Sequence, residues 1–207
     1  MSRARLRKRL RAGRQVSPFL VLGDPTPALS LELAKAAVDA GADMLELGMP
    51  YGDPVADGPA IQAADVRALE GGTSTNEAIA ILARIHDAHP QIPKNLLVYG
   101  NLVHARGFDR FCADVSQAGA ASLLVPDIPL EESAPLKKAC GRAQLGHVQL
   151  VGPLTDPDRL RRIDRLADAF LYLVAHQGVT GVGSRNFENV CALVSRTRAI
   201  SVVGRVL

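Results

Sequence analysis

One alternation governs this chain. Short apolar runs recur along it, and longer segments with helical spacing separate them. The runs are Ser17–Pro25 (SPFLVLGDP), Asp43–Pro50 (DMLELGMP), Asn95–Asn101 (NLLVYGN), Ser122–Pro129 (SLLVPDIP), Gly146–Pro153 (GHVQLVGP), Ala169–His176 (AFLYLVAH) and Ala199–Gly204 (AISVVG). Between the first two, Pro27–Ala40 sets Leu29, Leu33, Ala36, Ala37 and Ala40 on one helical face, and Gly41 closes it. Ser74-Thr75-Asn76-Glu77 has the form of a capping box, and the helix after it groups Ile79, Leu82, Ile85 and His86. Further helices are predicted over Phe108–Ala118, Glu131–Arg142, Asp156–Leu166 and Asn186–Ser195. A strand-helix order of this kind implies parallel strands joined by helical crossovers. The strands are apolar nearly throughout, as strands buried on both faces are.

Two α/β architectures satisfy this order: an open doubly wound sheet and a (β/α) barrel. The first strand is not followed by G-x-G-x-x-G, which a dinucleotide-binding sheet would need there. Polar residues stand instead at the C-terminal ends of several strands: Asp24, Asp53, Asn101, Asp127 and His176. A barrel builds its site from many such ends. The prediction is one (β/α) barrel domain over 1–207. No linker or low-complexity segment divides it.

Composition excludes several classes. The chain is 47% hydrophobic and 22% charged, ordinary for a globular protein, and no apolar run reaches the roughly 18 residues of a membrane span. The expected location is the cytoplasm. Cys112, Cys140 and Cys191 lie far apart in sequence, and no histidine, cysteine or carboxylate set has metal-ligand spacing, so neither a disulfide framework nor a metal is expected. The net charge is only +3, much of the positive charge sitting in MSRARLRKRLRAGR. There Leu6 and Leu10 offer one apolar stripe, which predicts a short helix capping the domain rather than a nucleic-acid site.

The chemistry concentrates in LELGMPYGDPVADGPAIQ, Leu45–Gln62. Glu46 alternates with Leu45 and Leu47, so its side chain faces away from theirs. Facing a barrel interior it would be poorly solvated, its pKa raised, and it would suit a proton donor near neutral pH. The alternative is an ion-paired structural glutamate. Asp57 sits in an Asp-Gly-Pro turn, a common structural sequence, yet on the loop that leaves the strand of Glu46. His176–Arg185 (HQGVTGVGSR) is glycine-rich, as either a plain loop or one that cradles an anion or closes as a lid.

FLVLGDP, AGADMLELGMPYGDPVADGPAIQ, LLVYGNLV, LLVPDIPLEES and GVTGVGSR occur in this order between about Pro18 and Arg185, and together they resemble the tryptophan synthase alpha subunit. The resemblance implies a (β/α)8 TIM-type barrel that cleaves indole-3-glycerol phosphate to indole and glyceraldehyde 3-phosphate. It implies no cofactor, and a beta subunit, the pyridoxal phosphate carrier, as partner in an alpha2-beta2 complex. By the same resemblance Glu46 shuttles the proton at indole C3, Asp57 accepts from the indole N–H, and Tyr172 stands near the glycerol chain. Tyr99, Leu97 and Leu124 line the indole pocket, Thr180 is the lid threonine that meets the loop aspartate, and Gly181 contacts phosphate.

The family's barrel has eight strands, whereas about seven βα units are read here, so the domain is expected to be incomplete at its C-terminus. Val21, Tyr51-Gly52 and the loop His104-Ala105-Arg106 also depart from the family's usual residues, the last on the side that faces a beta subunit. A stand-alone indole-producing lyase and a truncated or non-catalytic homologue are the alternatives.

Overall fold

The structure, a computed structural model, describes Leu6, Leu10 and residues 15–174 and 187–201. Its strands are β1 (Phe19–Val21), β2 (Leu45–Gly48), β3 (Lys94–Leu97), β4 (Ser122–Leu124), β5 (Gly146–His147), β6 (Gln149–Val151) and β7 (Leu171–Leu173). Its helices are α1 (Pro27–Asp39), α2 (Pro59–Glu70), α3 (Thr75–Ala88), α4 (Gly100–Arg106), α5 (Phe108–Gln117), α6 (Ala134–Arg142), α7 (Pro157–Leu166) and α8 (Phe187–Ile200), with a 3-10 turn at Leu130–Glu132. All paired strands are parallel. β1 to β5 pair in sequence order, and β6 pairs with β7.

Register explains the layering. Glu46 pairs with Phe19 and Asn95, and Asn95 pairs with Ser122, so these residues share one face. Leu47, Leu96 and Leu123 form the next row on the opposite face, where they pack with Ile81, Leu82 and Ile85 of α3 and Phe111 and Val115 of α5. The outer row is the main core; the first row lines the interior. The sheet curls: the Tyr172 hydroxyl of β7 lies 3.5 Å from Glu46 Oε2 of β2, across that interior. Leu6 is buried with Met44, Ala121, Val148, Ala169 and Phe170, and Leu10 packs against the same cluster, so the two leucines of the predicted apolar stripe do lie against the domain.

The Ser74 cap falls where the sequence placed it, the Ser74 hydroxyl accepting from the Glu77 N–H. Two further caps appear in the structure: Thr26 accepts from the Leu29 N–H, and Asp156 from the Asp158 and Arg159 N–H groups. Four readings change. The fifth predicted strand is two short strands, β5 and β6, broken at Val148. The loop after the second strand holds α2, with Pro59 at its start. The third strand ends by Leu97, and Gly100–Arg106, including His104-Ala105-Arg106, is helical. Ala199 and Ile200, expected to open a seventh strand, end α8, while Val202–Gly204 lie outside the described residues.

Candidate active site

β2 carries Glu46 on the interior face, 7% exposed. Asn95 Nδ2 donates to its Oε1 at 3.2 Å, and the Tyr172 hydroxyl approaches Oε2. Burial is the dominant influence and raises its pKa from 4.5 to about 7, although both hydrogen bonds favour the charged form. Met44, Phe170 and Tyr172 line a cavity with Glu46 and belong with Leu97 and Leu124 to one apolar cluster. The cavity, of about 250 Å³, reaches the carboxyl group between Gln15, Ser17 and Met44 on one side and Phe170, Tyr172 and Leu173 on the other. Gly48 also serves this interior, since a Cβ there would sit 2.6 Å from the Phe19 ring.

Asp57 lies on the loop between β2 and α2, also 7% exposed. The Tyr99 hydroxyl donates to its Oδ2 at 2.7 Å and accepts from the Ala56 N–H at 3.2 Å, which ties the loop to the end of β3. Gln62 Nε2 donates to the Asp57 carbonyl at 2.8 Å. Burial raises the Asp57 pKa and the Tyr99 hydroxyl lowers it in part. Tyr51 stacks on Tyr99 with ring centres 5.0 Å apart. Tyr172 is raised to about 12, first by burial and then by Glu46, and Asp57 adds to the effect. The two carboxylates thus act on one tyrosine.

Glu46, Asp57, Tyr99, Tyr172, Leu97 and Leu124 all take part in this interior, while Thr180 and Gly181 lie outside the described residues, as does His176. Asp24 instead pairs with Arg67 of α2, and Asp127 accepts from the Gly100 N–H at the start of α4. Three functional candidates escaped sequence reasoning. Asp65, on α2 and 4% exposed, has its pKa raised to about 7 by burial and by Asp57. Asn95 and Ser122 share the row of Glu46, and their signal was available as polar residues at alternate positions of apolar strands. Among the described residues, no group of histidine, cysteine and carboxylate side chains is placed to hold a metal ion.

A buried acid and a tethered second carboxylate in a curled parallel sheet narrow the field, and comparison with known proteins decides the family. Residues 6–204 match the family model described as tryptophan synthase alpha chain. The chain belongs to the tryptophan synthase alpha chain family. It is 44% identical over 168 residues to the tryptophan synthase alpha chain of Cronobacter sakazakii, covering 81% of this chain and 62% of that one. It is 42% identical over 181 residues to the Aeromonas hydrophila alpha chain, covering 87% and 68%. The chain therefore spans a little under or about two thirds of these relatives. Among solved structures, Mycobacterium tuberculosis tryptophan synthase aligns at TM-score 0.86 and 31% identity over 95% of this chain and 76% of that one. The alpha subunit of Pyrococcus furiosus aligns at TM-score 0.81 and 30% identity over 91% and 75%. The fold is thus the (β/α)8 barrel type of the alpha chains.

Proposed function

We propose that this alpha-family chain cleaves indole-3-glycerol phosphate to indole and glyceraldehyde 3-phosphate, a retro-aldol step of tryptophan biosynthesis. The observation that carries the reading is the pairing of Glu46, an acid that titrates near neutrality, with Asp57, a carboxyl group held in hydrogen bonding by Tyr99. Glu46 gives its proton to indole C3, which turns the ring into an indolenine. Positive charge develops at the ring nitrogen, and Asp57 accepts a hydrogen bond from its N–H. The glycerol hydroxyl next to C3 then loses its proton, the carbon–carbon bond breaks, and the bonding pair returns to the ring. The aldehyde leaves with the phosphate. Glu46, now a carboxylate, takes up the hydroxyl proton and is ready again, so protons balance. General acid catalysis of this kind is worth on the order of 10²–10⁴-fold.

Leu97 and Leu124 offer the apolar wall for indole, and Tyr172 is positioned for the glycerol chain. Thr180 and Gly181 are assigned to lid closure and phosphate contact through the family motif GVTGVGSR. A tryptophan synthase beta subunit is the proposed partner and the cytoplasm the proposed location. We read 1–207 as one barrel domain. Among the described residues no helix is long and apolar enough to cross a membrane.

The test is indole release from purified protein given indole-3-glycerol phosphate, with and without a beta subunit. Release that rises with beta, and that Glu46→Gln abolishes in a folded protein, is the expected result. Release indifferent to beta would point to a stand-alone lyase. No release from a folded chain under either condition would remove the catalytic reading.

A further inference from the structure

The polar row inside the barrel has a direction. The Ser122 hydroxyl donates to Asn95 Oδ1 at 2.7 Å, and Asn95 Nδ2 donates to Glu46 Oε1 at 3.2 Å. The three residues are register partners on β4, β3 and β2, so their spacing is fixed by the sheet rather than by flexible loops. Asn95 and Ser122 have no exposed surface. We propose that Asn95 is a positioning residue for the acid: oriented by Ser122, it holds Glu46 Oε1 and leaves Oε2 facing Tyr172.

Donors and acceptors along the row set the orientation of the amide. An amide in isolation can turn either its N–H or its oxygen to a neighbouring carboxyl group. Ser122 occupies the amide oxygen, so only the N–H faces Glu46. A carboxylate accepts that bond more strongly than a neutral acid does. The row therefore favours the charged form and opposes burial, which favours the neutral one. Its effect is to keep a desolvated glutamate within reach of neutral pH instead of far above it. In the reaction this matters twice, since Glu46 must release a proton to C3 and then wait as a carboxylate for the next. The inference rests on the lyase reading for its use in catalysis, but the titration of Glu46 does not need that reading.

The experiment is a carbon-13 NMR titration of the glutamate side-chain carboxyls, with the Glu46 signal assigned by its loss in Glu46→Gln. It compares the wild type, Asn95→Leu, Ser122→Ala and Leu96→Val. Leu96 neighbours Asn95 but packs toward the helices, so its variant reports general loosening. In Asn95→Leu the Glu46 midpoint should rise by about one pH unit, a tenfold gain in proton affinity. In Ser122→Ala it should rise less: the freed amide can turn its oxygen to the protonated acid, but its N–H remains available to the carboxylate, which Asn95→Leu removes. Leu96→Val should leave it in place. An unchanged midpoint in Asn95→Leu, or equal movement in Asn95→Leu and Leu96→Val, overturns the proposal. If Asn95→Leu shows no cooperative melt, Ser122→Ala decides: a raised midpoint supports the proposal and an unmoved one sinks it. Indole release measured on the same proteins should lose activity at a correspondingly higher pH in Asn95→Leu. Absence of indole from every protein, wild type included, would count against the lyase reading alone and would leave the titration result standing.

Discussion

Glu46 binds its proton more tightly in the folded chain than in an unfolded one, because burial outweighs the two hydrogen bonds that favour its charge. The sign of the linkage follows. Its pKa is raised from 4.5 to about 7, so its contribution to stability is full below about pH 4.5 and is lost as pH rises through 7. Glutamine has the same shape and no charge to bury. Glu46→Gln should therefore match the wild type at pH 5 and exceed it at pH 8 by on the order of 2 kcal/mol. Urea unfolding at the two pH values reads this, and equal stabilities at pH 8 would mean that the carboxylate is well solvated. On the proposed lyase reading, Asp57 would set the opposite limb of the activity profile, since it must be ionised to accept from an indole N–H, and the Tyr99 hydroxyl favours that form. Tyr99→Phe removes the donor, raises the Asp57 pKa further and moves the acid limb of kcat/KM to higher pH. Activity at pH 6 should fall more than activity at pH 8, and an unmoved acid limb would take Asp57 out of that role.

At the scale of elements, close packing inside the barrel makes the most specific demand at Gly48. Phe19 and Gly48 lie on one face of adjacent strands, and a Cβ at Gly48 would meet Phe19 Cζ at 2.6 Å. Gly48→Ala should destabilise the fold by about 1–3 kcal/mol through overpacking. Phe19→Leu removes the distal ring carbons, so in the double variant most of that loss should vanish. Denaturant midpoints of the four proteins in the cycle provide the check, and strictly additive losses would place the strain elsewhere. The elements themselves differed in legibility for physical reasons. β2 and β3 were readable because an apolar strand between turn residues has few alternatives, and α3 because Ser74 and Glu77 announce its start. α2 was not, since it buries Ala64, Asp65 and Ala68, and small or polar buried residues leave no apolar stripe to find. The start of α4 depends on Asp127, 27 residues onward, accepting the Gly100 N–H, a partner no local pattern contains. Ala199 and Ile200 misled because a short apolar run fits a helix end as well as a strand. Within the site, Glu46 and Asp57 stood out by residue type and place, whereas Asn95 acquires its meaning only from the strand pairing that sets it beside Glu46.

For the molecule as a whole, the two-layer arrangement separates its three cysteines into two kinds. Cys112 on α5 and Cys140 on α6 are completely buried in the main core, with their sulfurs 3.9 Å apart, while Cys191 on α8 is exposed. The Cys112 sulfur beside it and burial push the Cys140 thiol well above its ordinary pKa, so little thiolate is present to react. A water-soluble aromatic disulfide reagent can reach the buried pair only when α5 and α6 part, and they are held by Phe111, Val115, Leu136 and Ala139 in the same core. Opening there breaches the layer that also supports β3 and β4, so it should cost nearly the full free energy of unfolding. One thiol is expected to react at once in the native protein, and two more only as denaturant unfolds it, at a common rate that follows the loss of helical signal. If Cys112 and Cys140 react quickly in native buffer, the outer layer opens on its own and the interior row at Glu46 is not rigidly backed. If they follow global unfolding, the helices that carry them hold β3 and β4, and through them Asn95 and Ser122, in the register that sets the hydrogen bond to Glu46.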